Sequence, residues 1–151
     1  MARSALVPAA LAVLAALGAA LLGWGLLRSQ SLPSGPEPVA FDRAPCTRCG
    51  MLIGEPAFAG QLQTRDGRVL DFDDPGCLLL YLRERDPDVH AVWLHHHAED
   101  RWIPQDRVAF VPVPATPMGY GLGAVERGGA TLSWDEALAR AAASEDRRRH
   151  P

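Results

Sequence analysis

The sequence is poor in the residues that usually announce a function. It has no lysine: all 15 of its basic residues are arginine, set against 18 acidic ones. They form no basic patch of the kind a nucleic-acid backbone requires, so no nucleic-acid partner is expected. No Ser-His-Asp arrangement, P-loop or G-x-G-x-x-G is present, and nothing else reads as an active site. Sulfur is scarce too, with three Cys and three Met in 151 residues. Yet three of those sulfurs fall within six residues, Cys46-Thr47-Arg48-Cys49-Gly50-Met51. The rest of the chain is organised around that stretch.

Thiolates and thioethers are soft donors, and the ion they select most sharply is Cu(I). Gly50 permits a backbone turn that a Cβ would forbid, so sulfurs two residues apart can converge on one ion. The competing readings are a Cys46–Cys49 disulfide beside a core Met, or a thiol-disulfide protein acting through Cys46 and Cys49. A redox C-x-x-C sits in a thioredoxin-like β-α-β context, whereas this one precedes a β-hairpin. Structural zinc lacks its second Cys or His pair.

Residues 5–27 carry no charge and are flanked by Arg3 and Arg28. The run is long enough for a membrane span and equally readable as a signal peptide, with Gly18-Ala19-Ala20 as a small-residue cleavage site. Either way the domain behind it is expected on the extracytoplasmic side of the cell membrane or envelope, where a disulfide also becomes possible. We therefore divide the chain into a leader at 1–28, a Pro/Ser-rich tether at 29–38, a domain at 39–143 and a charged tail at 144–151.

The expected fold class is α+β. Strands are predicted over 57–63 and 68–72, joined by a tight turn at Arg65-Asp66-Gly67. A helix over 76–85 follows, capped by Asp71 with Asp73 and Asp74 in its first turn. Further strands are predicted over 88–97, 101–103, 108–113, 122–127 and 130–132, with a turn at Gly128-Gly129. Ser133-Trp134-Asp135-Glu136 is a capping box opening a helix over 134–143. Turn and cap recur at one common offset, implying two related β-β-α units packed as one small domain behind an N-terminal hydrophobic helix. Met51 and Met118 hold equivalent places in the two units.

Met118, between Pro117 and Gly119 in a loop, is a candidate ligand. Cys77, beside Leu78-Leu79-Leu80, reads as a small buried hydrophobe, and its replacement is expected to leave Cu(I) binding intact. His95-His96-His97 reads as a solvated hairpin end, with metal contact as the alternative. The carboxylates Asp71, Asp73 and Asp74 are explained by helix capping rather than by catalysis or a hard-cation site.

With those residues in place, the chain resembles the NosL family, exported copper-binding accessory proteins of nitrous oxide reductase maturation. The likeness is carried by Cys49-Gly50-Met51, Phe58-Ala59-Gly60-Gln61-Leu62, Gly67 with Phe72-Asp73-Asp74, Trp102-Ile103, and Thr116-Pro117-Met118-Gly119-Tyr120-Gly121. It implies a Cu(I) site built on Cys49 and Met51, with Met118 as a further ligand and Cys46 optional. It also implies an acceptor cuproenzyme, nitrous oxide reductase or its assembly factors. Members are typically lipoproteins. Here Leu21-Leu22-Gly23 leads into Trp24 rather than Cys, so attachment is expected through the N-terminal helix instead.

Overall fold

The structure, a computed structural model, describes residues 14–24 and 32–150. The chain divides into two compact units, residues 1–32 and 33–151. In the first, residues 14–24 form a helix, α1; much of the expected leader lies outside the described residues. Among the described residues no helix is long and apolar enough to cross a membrane.

The second unit contains a 3-10 turn at Pro56–Phe58 and six strands: β1 Gly60–Thr64, β2 Val69–Phe72, β3 Val89–His95, β4 Trp102–Pro104, β5 Val108–Pro112 and β6 Leu122–Glu126. Helix α2 spans Pro75–Arg85 and α3 spans Trp134–Arg149. Strands β2-β1-β3-β4 make one antiparallel sheet and β5-β6 a second. The fold class is α+β, as the sequence implied. Phe72, Leu62, Leu78, Leu79, Leu94, Ile103, Phe110 and Leu122 fill the core, with Ala137 and Ala141 bringing α3 against it.

The local chemistry explains the first unit of the pair. Gly67 has a φ of 86°, a left-handed conformation that suits glycine in a tight turn. Alternation places Gly60 and Leu62 toward α2, where a Cβ on Gly60 would lie 2.8 Å from Leu78 Cδ1. The helix does not start where Asp71 would cap it. Its N-cap is Asp74, whose side chain accepts from the Gly76 N–H at 2.8 Å, with Pro75 at the first helical position. Proline there fixes the φ that a helix start needs and lacks an N–H that would go unpaired anyway. Asp71 stays on β2 and accepts from Gln61 Nε2 at 2.8 Å.

The second unit keeps its capping box, with Ser133 and Glu136 satisfying each other's backbone N–H groups. Its pairing differs from the predicted local hairpin. Residues 130–132 do not return alongside β6; β6 pairs with β5, and Leu132 bridges to Phe110 on the far side of β5. Two antiparallel β-β-α units are therefore present, β1-β2-α2 and β5-β6-α3, but the second draws its strands from Val108–Pro112 and Leu122–Glu126 rather than from 122–127 and 130–132.

All five residues of β1 are buried, although Gln61 and Gln63 occupy the face away from α2. Residues 33–37 cover that face, so this part of the expected tether is docked. The Glu37 N–H donates to Gln61 Oε1 at 2.7 Å and Gln61 Nε2 donates to the Glu37 carbonyl at 3.0 Å. Gln63 Nε2 donates to the Gly35 carbonyl at 2.7 Å, and His90 Nε2 lies 2.9 Å from the Pro33 carbonyl. One amide side chain that pairs both backbone groups of a residue imitates the next strand of a sheet.

Candidate metal centre

The sulfur-rich stretch is a closed loop. The Cys46 N–H donates to the Met51 carbonyl at 2.7 Å, and the Gly50 N–H to the Cys46 carbonyl at 2.9 Å. Gly50 carries a φ of 77°, as a turn this tight requires. The Thr47 N–H donates to the Asp71 carbonyl at 2.9 Å, which ties the loop to β2 at the edge of the sheet. Behind it, Asp74 and Pro75 start α2 so that Cys77 falls in the first turn.

These two elements bring Cys46, Cys49 and Cys77 together, with their three sulfurs within 4.8 Å of one another. All three are free thiols; Cys46 and Cys77 are buried and Cys49 is half-buried. An ion about 2.3 Å from each of three sulfurs at the corners of a triangle needs S···S separations of about 4.0 Å, which sulfurs all within 4.8 Å of one another can supply. Among the described residues no His or carboxylate joins the group.

The electrostatics favour one negative charge, held on Cys46. Its pKa is drawn down to about 5, chiefly by the Cys77 thiol donating to it, with burial opposing and the backbone N–H groups of Cys49, Asp73 and Arg48 assisting. Cys77 is pushed far up because its proton is held by Cys46 and because it is buried. Cys49 is pushed up mainly by burial.

Met118 comes from a separate loop, between β5 and β6. It lines a cavity of about 410 Å³ together with Cys49, Arg48, Tyr81, Glu84 and Tyr120. Buried Asp74 fixes the Met118 loop to α2: one carboxylate oxygen caps Gly76 and the other accepts from the Met118 N–H at 3.0 Å. Burial raises the Asp74 pKa, with Thr116, Gly76 and Met118 donating against that trend. Arg148 donates to the Met118 carbonyl from α3.

Arg48, between the two loop cysteines, is largely enclosed. It donates from Nη2 and Nε to Glu84 at 2.9 and 3.2 Å and from Nη1 to the Tyr120 hydroxyl at 2.9 Å; Glu145 lies 3.6 Å away. Burial works against its charge, but Glu84, Tyr120 and Glu145 outweigh that and hold its pKa above the ordinary arginine value.

The candidate residues therefore separate. Cys46 and Cys49 lie in the cluster, and Met118 shares the adjoining cavity with Cys49. Met51 contributes its backbone to the loop while the residue is 53% exposed, next to exposed Leu52. Cys77 packs in the core, as its leucine neighbours suggested, and is at the same time the third thiol. The usable signals for it were its position just inside a helix start marked by Asp74-Pro75 and the scarcity of other cysteines. The three histidines lie elsewhere, and the first two are buried rather than solvated. His95 contacts Asp100 at 3.2 Å and the Trp102 ring at 5.3 Å, while His96 Nδ1 accepts from the Ala98 N–H at 3.1 Å.

Fold and site together define a small α+β protein with a cluster of soft donors beside an open cavity. No sequence-family profile matches the chain, and no curated protein matches it. Its fold is similar to the crystal structure of the copper chaperone NosL from Shewanella denitrificans. The TM-score is 0.57 at 23% identity, covering 69% of this chain and 96% of that one. The resemblance to NosL drawn from the motifs is thus met by a shared fold.

Proposed function

We propose that this protein is an exported, non-enzymatic Cu(I) chaperone that binds the ion through Cys46, Cys49 and Cys77 and releases it to an acceptor protein. The observation that carries the reading is the convergence of three thiols with, among the described residues, no fourth His or carboxylate in the group. A structural zinc site calls for four ligands, whereas soft sulfur ligands suit Cu(I) at lower coordination. Cys49, half-buried and facing the cavity with Met118, is the sulfur an incoming ligand can displace first. Met118 and Met51 are then exchange ligands near the exit. The charge-free run near the N-terminus supports export and attachment to the membrane. The NosL-like motifs and fold support nitrous oxide reductase or its assembly factors as the acceptor.

The thiol-disulfide alternative finds one favourable feature, the lowered pKa of Cys46. That residue, however, is only 2% exposed, and an attacking thiolate must reach its partner.

Anaerobic Cu(I) titration against a chromophoric chelator tests the proposal on the full chain. Cys46→Ser, Cys49→Ser and Cys77→Ser should each lose at least about tenfold in affinity, in the range seen when metal-site groups are removed. Met118→Ala and Met51→Ala should retain most of the affinity and slow transfer to a competing acceptor. Weak binding by wild type, or affinity indifferent to all three cysteines, rejects the reading.

A further inference from the structure

The three thiols come from two separate elements. Cys46 and Cys49 ride on the loop; Cys77 rides on α2. Backbone bonds from the loop to β2 do not by themselves set its position along α2. Arg48 does. Its guanidinium grips Glu84 with two N–H groups, at 2.9 and 3.2 Å. Glu84 stands two turns beyond Cys77, and residues seven apart share a helix face. The same guanidinium holds the Tyr120 hydroxyl at 2.9 Å, and Tyr120 in turn donates to Glu145 on α3 at 2.8 Å. Tyr120 is two residues from Met118. One planar, multi-donor group therefore joins the carriers of the four sulfurs that are buried or half-buried among the described residues. Lysine, a point charge with no fork, cannot reproduce that geometry.

We propose that Arg48 is a positioning residue for this centre: its clamp on Glu84 and Tyr120 holds the loop thiols against Cys77, so that the ion meets three sulfurs rather than two. The proposal rests on the copper-binding reading above. Its mechanism is mechanical and needs no contact between Arg48 and the ion. With the clamp open, Cys46 and Cys49 stay together on their closed loop, and Cys77 is the sulfur that falls away.

The test uses the full chain and two readouts. In metal-free protein, alkylation of Cys77 reports whether loop and helix stay together. Arg48→Gln should raise its rate about tenfold, as expected for losing a charge-assisted hydrogen bond that restrains a local opening. Arg48→Lys should fall between that variant and wild type. Gly123→Ala serves as the control for general destabilisation. A Cβ there would lie 2.9 Å from His97 Cγ and from Val113 Cγ1, away from the clamp, so Cys77 should remain protected.

In the copper-loaded protein, thiolate-to-Cu(I) absorption per ion should fall in Arg48→Gln from that of three thiolates to that of two, with affinity lower by about 10–100-fold. Unchanged Cys77 labelling and unchanged absorption in Arg48→Gln overturn the proposal. So does equal labelling in Gly123→Ala at matched stability. Failure of wild type to bind Cu(I) sinks the chaperone reading instead, and the metal-free labelling still decides whether Arg48 is a clamp.

Discussion

At the scale of single residues, the molecule shows how much hangs on small side chains around the centre. Gly76, in the first turn of α2, faces Tyr120. An added Cβ would stand 2.2 Å from the ring's Cγ, 2.3 Å from Cδ2 and 2.7 Å from the tyrosine Cβ. A rotamer change cannot relieve a clash that includes the Cβ, so the loop carrying Met118 must move. Alanine in place of glycine favours a helix interior by about 1 kcal/mol, but overpacking of this kind costs about 1–3 kcal/mol, and the second effect should win. Gly76→Ala should therefore lower the urea midpoint and loosen the Tyr120 contacts with Arg48 and Glu145. Gly54→Ala, whose Cβ would meet only Asp42 Oδ1 at 3.5 Å, should leave the midpoint close to that of wild type. Equal midpoints for the two variants would contradict this account. Residue chemistry also marks what sequence could and could not convey about the site. Cys46, Cys49 and Met51 stand out because three sulfurs in six residues exceed anything a core needs. Cys77 does not, because a small apolar residue beside three leucines has a sufficient explanation in packing alone, and only the arriving loop gives it a second role. Arg48 was silent for the opposite reason. Its importance lies in Glu84, Tyr120 and Glu145, partners that no local pattern connects to it.

At the scale of elements, local chemistry was a good guide to what forms and a poor one to what pairs. The hairpin turn at Gly67 and the capping box at Ser133 formed where expected and most apolar runs became strands near their expected bounds, but residues 130–132 supply only the Leu132 bridge, and α3 runs on to Arg149, through most of the stretch read as a charged tail. Of three carboxylates that can each cap α2, Asp71 was the expected one; the cap is Asp74, and Pro75, suited to the first helical position, was the residue that marked it. Beyond that, Gly128-Gly129 suggested a hairpin, yet the partner of β6 is β5, and Leu132 closes onto Phe110. Bridges of this kind are chosen by core packing rather than by turn propensity. The clamp joining the loop, α2 and α3 is likewise non-local, and it carries a pH signature. Glu84 is held below the usual carboxylate range chiefly by its hydrogen bonds from Arg48, and Glu145 chiefly by the Tyr120 hydroxyl. A carboxyl whose folded pKa is depressed binds its proton more weakly in the folded state. Its stabilisation is present above the unfolded value, near 4.5 for these groups, and disappears as pH falls from there through the folded pKa. Asp71, Asp73 and Asp74 are shifted the other way, chiefly by burial, so their contribution is largest in acid and is lost as pH rises. A raw acid-denaturation curve mixes the two signs. The difference between wild type and Arg48→Gln isolates the clamp: its stability gap should be widest at neutral pH and narrow steadily below about pH 4.5. A gap independent of pH in urea titrations would mean that Glu84 does not act through Arg48.

At the scale of the whole molecule, the centre spans elements that meet only in the folded state. Cys46 and Cys49 belong to a loop held on the sheet edge, and Cys77 to a helix whose start is fixed by Asp74. The unfolded chain has the same three thiols, but it must close the intervening segment to use them together, and loop closure opposes binding. Cu(I) should therefore bind the folded state preferentially and stabilise it. The gain follows from mass action, about 2.7 kcal/mol when free ion stands at a hundredfold excess over Kd, less whatever the unfolded thiols recover. Anaerobic thermal denaturation should show Tm rising with Cu(I) activity and returning when a strong Cu(I) chelator is added. Cys77→Ser should lose most of that rise, because the two remaining thiols lie three residues apart and bind nearly as well in the unfolded chain. This distinguishes a centre assembled by the fold from a C-x-x-C that binds copper on its own. If Cys77→Ser keeps the full Tm rise while Cys49→Ser abolishes it, the ion is held by the loop alone, and α2 contributes packing without a ligand.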